Sequence, residues 1–291
     1  MADAPAAATD LEAAWAERVR ANREQVDRLR EVPDGADFYA PVTSLFLADP
    51  RRTDEPVLEL LRGLAAPGET WLDIGAGAGR YALPLALVVG EVVAVDPSAG
   101  MLRSLREQMT DSGIANVRPV EGRWPPDGGL LAALGPFPIA DVALIAHVGY
   151  DIEAIGPFLD AMEQATRRLC AAVLMERQPA SVADPFWPRV HRERRVTLPA
   201  LPEFVELLRA RGREPALTVV EREPRRFDSR DQLEGFLRRQ LWIADGGEKE
   251  RRFHRALDEL IVERDGGFGL RDQEPMPVGV TVWRPRTGSA E

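Results

Sequence analysis

The chain of 291 residues is poor in cysteine and histidine, and each shortage excludes a class of site. Its one cysteine, Cys170, cannot form a disulfide within the chain, so we expect a reducing, cytoplasmic location. The three histidines, His147, His191 and His254, have no metal-like mutual spacing and no cysteine partner. We therefore predict no metal site.

Long apolar runs and an excess of positive charge are missing as well. The longest apolar run, residues 81–89, is too short to span a bilayer, and the first residues lack the basic and apolar parts of a signal peptide. No membrane association is expected. The formal net charge of −10 disfavours nucleic acid as a partner. Lys249 is the only lysine, and the Arg-, Ala-, Pro- and Gly-rich composition is typical of a GC-rich bacterial genome.

A glycine-rich turn follows an apolar strand near the end of the first quarter of the chain. Residues 71–74 have the composition of a buried strand, and Gly75, Gly77 and Gly79 follow at alternate positions. After a helix-length gap, residues 91–96 form a second apolar strand that ends on an acid. A βαβ unit of this kind binds an adenosine-containing cofactor where its strands end, because glycine allows positive φ and close approach of the backbone.

The glycine spacing discriminates between such cofactors. In dinucleotide-binding turns the third glycine stands three residues after the second, and Arg80 holds that position here. Asp73, two residues before Gly75, would repel a pyrophosphate but suits a ligand that carries an ammonium group. The pattern argues against NAD and leaves an NAD-linked oxidoreductase as a minor alternative.

The segment Leu72-Asp73-Ile74-Gly75-Ala76-Gly77-Ala78-Gly79 resembles the hydrophobic-acid-hydrophobic-Gly-x-Gly-x-Gly pattern of class I S-adenosylmethionine (SAM)-dependent methyltransferases. The resemblance implies that the glycines line the methionine and ribose parts of SAM. It also implies that Asp73 lies near the methionine amino group and that Asp96 binds the ribose hydroxyls. The cofactor residues implied in this way are Asp73, Gly75, Ala76, Gly77, Gly79, Asp96, Pro97, Met101, Arg123, Trp124 and His147.

One position departs from the family pattern. Many members have an Asp after the glycine of the third loop, which accepts a hydrogen bond from the adenine amino group. Arg123 follows Gly122 here, so that contact is not carried over. Trp124 offers a stacking face for adenine or, as an equal alternative, packs in the loop ahead of Pro125.

The resemblance implies an α/β fold: a three-layer, doubly wound, seven-stranded, mostly parallel sheet with an N-terminal helical segment and lid insertions. A Val/Thr-rich strand over residues 278–283 agrees with the family's antiparallel last strand. We divide the chain into a tail, helix and cap segment (1–55), a SAM-binding α/β core (56–178), a lid insertion (179–199), the C-terminal part of the core with a helical insertion (200–285) and a tail (286–291).

Local signals predict several flanking elements. Residues 1–8 are Ala-rich and aperiodic and are expected to be disordered, while a capping box at Thr9 is expected to start a helix that runs to about Arg30. A helix is predicted over about 249–264. Ser98 is predicted to cap the helix that follows the second strand.

Candidate catalytic residues follow the fourth predicted strand, residues 140–146. His147 titrates in the range of a general base, with a pocket-lining role beside the cofactor as its alternative. Tyr150 and Asp151 are the other polar candidates. Because the sulfonium is already activated, methyl transfer can also proceed by alignment alone, without a base.

Aromatic residues before the first strand and in the lid insertion are candidates for the substrate pocket. In the resembled family, segments ahead of the first strand often fold over the cofactor. Ordinary core packing is the alternative for each early aromatic residue. The candidate pocket residues are Phe38, Tyr39, Phe46, Tyr150, Phe186 and Trp187.

These features together predict SAM-dependent methyl transfer to an oxygen or nitrogen of a small-molecule acceptor by direct displacement, with S-adenosyl-L-homocysteine as the product. A non-catalytic SAM-binding or interaction module is one alternative. An RNA methyltransferase is another, against which the acidic net charge counts. The sequence leaves the acceptor and the oligomeric state open.

Overall fold

The computed structural model of the protein describes residues 4–33, 47–224, 226–264 and 266–286. Within these ranges the strands are β1 (Thr70–Ile74), β2 (Glu91–Asp96), β3 (Val117–Glu121), β4 (Ala140–Ala146), β5 (Thr166–Met175), β6 (Ala216–Val220), β7 (Ile261–Arg264), β8 (Gly267–Leu270) and β9 (Val278–Trp283). The helices are α1 (Ala4–Leu29), α2 (Pro56–Leu64), α3 (Ala82–Ala86), α4 (Ala99–Ser112), α5 (Gly128–Leu134), α6 (Ile155–Gln164), α7 (Trp187–His191), α8 (Leu201–Ala210), α9 (Arg230–Leu241) and α10 (Glu248–Leu260), with a 3₁₀ helix over Pro179–Ala183.

The central sheet has seven strands in the order β3-β2-β1-β4-β5-β9-β6. The first five in this order are mutually parallel, and β9 runs antiparallel between β5 and β6. This confirms the predicted seven-stranded, mostly parallel sheet. The chain order reverses between β1 and β4, and ligands of open α/β sheets bind in the crevice outside the strand ends at such a point.

The sheet is apolar on both faces because helices cover both. One face carries α1, α6 and α8, with Trp15 and Phe158 in its core. The other carries α2, α3 and α4, with Leu58 and Leu102 in its core. Alternate residues of each central strand point to opposite faces of the sheet, and both faces are buried. This explains why β2 is an unbroken apolar run rather than an alternation of apolar and polar residues.

The expectation that residues 1–8 are disordered is wrong for the described part of that segment. Helix α1 already begins at Ala4 and passes through Thr9, so Thr9 does not cap it. Alanine has the highest helix propensity, and a proline is tolerated in the first turn, so the Ala-rich start extends the helix. The cap predicted at Ser98 is confirmed: its Oγ accepts a hydrogen bond from the Met101 N–H at 3.1 Å.

A third core lies away from the sheet and joins the lid insertion to the later helices. Phe186 and Trp187 pack there with residues of α9 and α10 such as Leu237 and Phe253. The helix predicted to reach Arg264 ends at Leu260, and the β-branched Ile261 and Val262 open a hairpin of β7 and β8 instead. None of the helices in the described ranges combines the length and apolar content needed to cross a bilayer.

Candidate functional site

The three glycines after β1 serve two different purposes. All have positive φ, at +77° for Gly75, +54° for Gly77 and +88° for Gly79. A Cβ at Gly75 would overlap Val148, and one at Gly79 would lie 2.5 Å from Leu105 Cδ1. At Gly77 a Cβ would meet only the Met101 sulfur, at 4.0 Å. The outer two glycines thus permit close packing, while the middle one leaves room beside the turn.

Asp96 holds this turn from the end of β2. Its Oδ2 accepts a hydrogen bond from the Gly77 N–H at 2.8 Å, and its Oδ1 accepts one from the Ser98 N–H at 2.8 Å. The side chain is buried. One carboxylate therefore fixes both the glycine turn and the N-terminus of α4.

Asp73 is a buried carboxyl group with unused hydrogen-bonding capacity. It is 2% exposed, and its Oδ1 has no hydrogen-bond partner among the described residues. Burial, followed by the charge of Asp96, raises the pKa of Asp73 to about 7, against the opposing effect of the Ala82 N–H. A cationic donor is the partner that such a site lacks.

An ion cluster anchors the glycine turn to the segment before α2, and no motif in the sequence identified it. The Glu55 carboxylate accepts from Arg52 Nε at 2.6 Å, from Arg80 Nη2 at 2.9 Å and from the Tyr81 hydroxyl at 3.0 Å. Arg52 also donates to the Arg80 carbonyl at 2.8 Å. Arg52 and Glu55 stand three residues apart, but they precede α2, so the helical spacing rule does not identify the pair from the sequence.

His147 follows β4 in a left-handed conformation, with φ of +59°. Its backbone N–H donates to the Val173 carbonyl at 2.8 Å, while its ring Nδ1 has no partner among the described residues. Burial, and then the positive charges of Arg222 and Arg80, lower the pKa of His147 to about 4, although Glu55 opposes the shift. The imidazole is therefore neutral at physiological pH.

Tyr150 lies on the same loop and is engaged with the next strand. Its hydroxyl oxygen accepts a hydrogen bond from the Met175 N–H at 2.7 Å, and the side chain is buried. Burial raises the pKa of Tyr150 above its usual value. The residue thus ties the loop after β4 to the end of β5.

The structure favours the packing alternative for Trp124. Its ring stacks on Phe137 with centroids 6.1 Å apart, and its Nε1 donates to the Phe158 carbonyl at 3.2 Å. The neighbouring Arg123 is exposed, and so is Pro97 after β2. Contact of these residues with a cofactor stays a prediction.

The predicted substrate-pocket residues fall into three places. Phe38, Tyr39 and Phe46 lie outside the described residues. Phe186 and Trp187 are fully buried in the third core, where the Arg195 guanidinium lies 4.7 Å from the Trp187 ring centroid. Tyr150 alone stands at the end of the sheet. Whether any of them contacts a substrate stays a prediction.

A polar cavity of about 350 Å³ opens beside the ends of β4 and β5. Helix α1, the loops after β4 and β5, the lid insertion and the end of α9 all contribute to its wall. Its lining includes Asn22, Arg23, Asp151, Gln178, Arg195 and Trp242. Among the described residues, no group of three or more acidic, histidine or cysteine side chains could hold a metal ion.

Comparison with known proteins found a family that matches the segment around the glycine turn and solved structures with a similar fold. Residues 72–128 match the family described as "Methyltransferase domain". The fold is similar to that of the YcgJ protein of Bacillus subtilis, with 18% identity, a TM-score of 0.53 and coverage of 79% of this chain and 98% of that chain. It is also similar to a protein of Bacillus halodurans proposed to be a methyltransferase, with 15% identity, a TM-score of 0.55 and coverage of 79% and 99%. No curated protein matches the sequence.

The family match covers the glycine turn, α3, β2, α4 and β3, and it therefore includes the glycine-rich segment that carried the resemblance in the sequence. The two structural matches each cover 79% of this chain. The chain is thus an enzyme with a methyltransferase domain, built on the class I SAM-dependent methyltransferase fold that its glycine-rich turn implied.

Proposed function

We propose that the protein binds SAM at the glycine turn and transfers its methyl group to an oxygen or nitrogen of a small-molecule acceptor by direct displacement. The observation that carries the proposal is the unpartnered Oδ1 of the buried Asp73, next to a glycine turn that the methyltransferase family model matches. A cytoplasmic location is proposed with it, since the single cysteine excludes an internal disulfide.

The residues at the turn suit the parts of SAM. Asp73 would accept hydrogen bonds from the amino group of the methionine part, which supplies the missing cationic donor. Asp96 would accept from the ribose hydroxyls while keeping its bonds to the Gly77 and Ser98 N–H groups. Gly77, where a side chain would meet little, allows the ligand to approach the backbone.

Bound SAM supplies a methyl group already activated by a positively charged sulfur. The chain's contribution is then to hold donor and acceptor in line at contact distance. Tyr150 and His147 would line the site at the end of β4. The hydrogen bond from the Met175 N–H to the Tyr150 hydroxyl holds this side of the site in place. An imidazole with a pKa of about 4 is a poor general base near neutral pH, so we assign His147 a lining role.

Calorimetric titration tests the cofactor-binding part of this proposal directly. We expect S-adenosyl-L-homocysteine and SAM to bind the purified protein in the micromolar range, whereas NAD should give no heat of binding. Asp96→Ala should weaken S-adenosyl-L-homocysteine by on the order of 2 kcal/mol, because hydrogen bonds to a charged group are lost. Glu107→Ala, at an exposed position on α4, is the control. If neither SAM nor S-adenosyl-L-homocysteine bound, the proposal would be contradicted.

A further inference from the structure

Two residues that line the polar cavity beside β4 and β5 carry buried donors without a partner among the described residues. Gln178 is 3% exposed, and its Nε2 has no hydrogen-bond partner among the described residues. The Arg195 side chain is 7% exposed, and its Nε likewise has no partner there. Both residues line the cavity. Buried donors without partners are costly, so two on one wall indicate a place for an oxygen ligand.

Arg195 is held in position from several sides. Its Nη1 donates to the Ala180 carbonyl at 2.8 Å and to Asp184 at 3.1 Å. Gln25 of α1 fixes the backbone on both sides of it, donating to the Arg194 carbonyl at 2.7 Å and accepting from the Val196 N–H at 2.8 Å. The guanidinium is thus oriented before any ligand arrives, which lowers the entropy cost of binding.

The other charges on the wall favour a ligand with a single negative group. Arg30 pairs with Asp27 at 3.2 Å, and Arg23 pairs with Glu153 at 3.1 Å. Asp151 has no ion pair or hydrogen bond of its side chain among the described residues, and it would repel a second anionic group. Burial lowers the pKa of Arg195 even with Asp184 beside it, so an anion would relieve a partly uncompensated charge.

We propose that this cavity binds the methyl acceptor, and that the acceptor is a small organic monocarboxylate whose carboxylate oxygens accept hydrogen bonds from Arg195 Nε and Gln178 Nε2. The role of this ligand as methyl acceptor rests on the proposed function, whereas the binding of a carboxylate in the cavity does not. A volume of about 350 Å³ is at the lower end of small-molecule pockets and suits an acid with one ring.

Matched pairs of an acid and its neutral amide test the proposal on the full chain. We would titrate benzoate against benzamide and cinnamate against cinnamamide, using saturation-transfer NMR with and without S-adenosyl-L-homocysteine. Each acid should bind at least tenfold more tightly than its amide. Equal affinities within the pairs would overturn the cavity assignment.

Two variants and one control locate the binding. Gln178→Glu keeps the side-chain shape and breaks no hydrogen bond given by the described residues, and it should weaken the acids at least tenfold. Arg195→Gln should do the same where it folds. Arg194→Gln removes an equal charge from the neighbouring residue, which does not line the cavity, and should change affinity less than twofold. Equal weakening by Arg194→Gln and Gln178→Glu would reduce the effect to surface attraction and contradict the site.

The two proposals fail separately. S-adenosyl-L-homocysteine should bind all three variants within twofold of the unmodified protein, because none of the changed residues lies in the glycine turn. Its failure to bind the unmodified protein would contradict the proposed function, whereas a lack of acid selectivity with intact S-adenosyl-L-homocysteine binding would contradict the cavity proposal alone.

Discussion

At the scale of single residues, Asp73 and Asp96 belong to the same sequence motif but lie in different environments. Asp96 accepts two backbone hydrogen bonds, and Asp73 leaves one oxygen without a partner among the described residues. Hydrogen bonds stabilise the charged form, and burial without them favours the neutral form. The two acids therefore suit different tasks. Asp96 stabilises the turn and can also bind ligand, whereas Asp73 suits the binding of a cationic group.

We expect the affinity for S-adenosyl-L-homocysteine to rise between pH 6 and pH 8. The ammonium group of the ligand prefers ionised Asp73, and with a pKa of about 7 this carboxyl group must lose a proton on binding at the lower pH. Calorimetry at pH 6, 7 and 8 should show the dissociation constant falling by about tenfold over this range. The Asp73→Asn variant should bind weakly at every pH, and a pH dependence as steep as that of the unmodified protein would contradict the assignment.

The same carboxyl group should make the ligand-free protein less stable as pH rises. Its folded pKa of about 7 lies above the 3.8 of an ordinary aspartate, so the folded state holds the extra proton between these values and stability declines across that window. We would measure the free energy of unfolding in urea at pH 5 and at pH 8. The stability of Asp73→Asn relative to the unmodified protein should be higher at pH 8 than at pH 5. The shift should be on the order of 2 kcal/mol, and a difference independent of pH would refute it.

Substitutions at two glycines of the turn should have different effects, one mainly on stability and the other mainly on ligand binding. Gly79→Ala would force a Cβ against Leu105 and Leu83 at positive φ, so we expect it to lower the free energy of unfolding by about 2–4 kcal/mol. Gly77→Ala meets no close atom and should cost only about 1 kcal/mol, while weakening S-adenosyl-L-homocysteine at least tenfold. Chemical denaturation and calorimetry on both variants would measure this, and the reverse order of effects would contradict it.

At the scale of elements, what could be predicted from the sequence depended on how local the determining signal was. The strands β1, β2 and β4 were predictable because a strand buried on both faces is a continuous apolar run, and the cap at Ser98 depends on a neighbouring turn. The hairpin of β7 and β8 was missed because the predicted helix was carried past Leu260 into β-branched residues.

The complete wall of the polar cavity could not be predicted from the sequence, for a different reason. Its wall comes from α1, α9, the lid insertion and the loops after β4 and β5, so no contiguous pattern contains it. That Gln178 Nε2 and Arg195 Nε lack partners among the described residues is a property of the folded chain. The glycine turn, by contrast, is a contiguous motif, so the order of its residues along the chain is enough to locate it.

Helix α1 should hold the segment around Arg195 in place. Gln25 donates to Glu193 and Arg194 and accepts from Val196, so Gln25→Ala should increase amide hydrogen exchange in residues 193–198. It should also lower stability by about 1–2 kcal/mol, because buried groups lose their partners. Glu24→Ala, at the exposed adjoining position, is the control. Unchanged exchange in Gln25→Ala would show that other contacts hold the segment.

At the scale of the whole molecule, α1 joins two cores that are otherwise built from different parts of the chain. Its Trp15 and Val19 are buried in the core on one face of the sheet, while Val26 and Leu29 pack against the third core. A helix of 26 residues is long enough, at about 39 Å, to reach both. The third core includes Trp187 and the helices α9 and α10, so its packing also shapes the wall that carries Arg195 and Trp242.

This arrangement predicts a single cooperative unfolding transition in differential scanning calorimetry. At one hundred times its dissociation constant, S-adenosyl-L-homocysteine should stabilise the fold by about 2.7 kcal/mol and raise the whole transition by several degrees. The double variant Val26→Ala and Leu29→Ala removes the apolar contacts of α1 with the third core and should split the transition in two. Only the component that contains the glycine turn should then respond to the ligand, because the third core would unfold without losing that binding site. One transition that still shifts as a whole in the double variant would mean that the sheet and the third core are coupled through contacts other than α1.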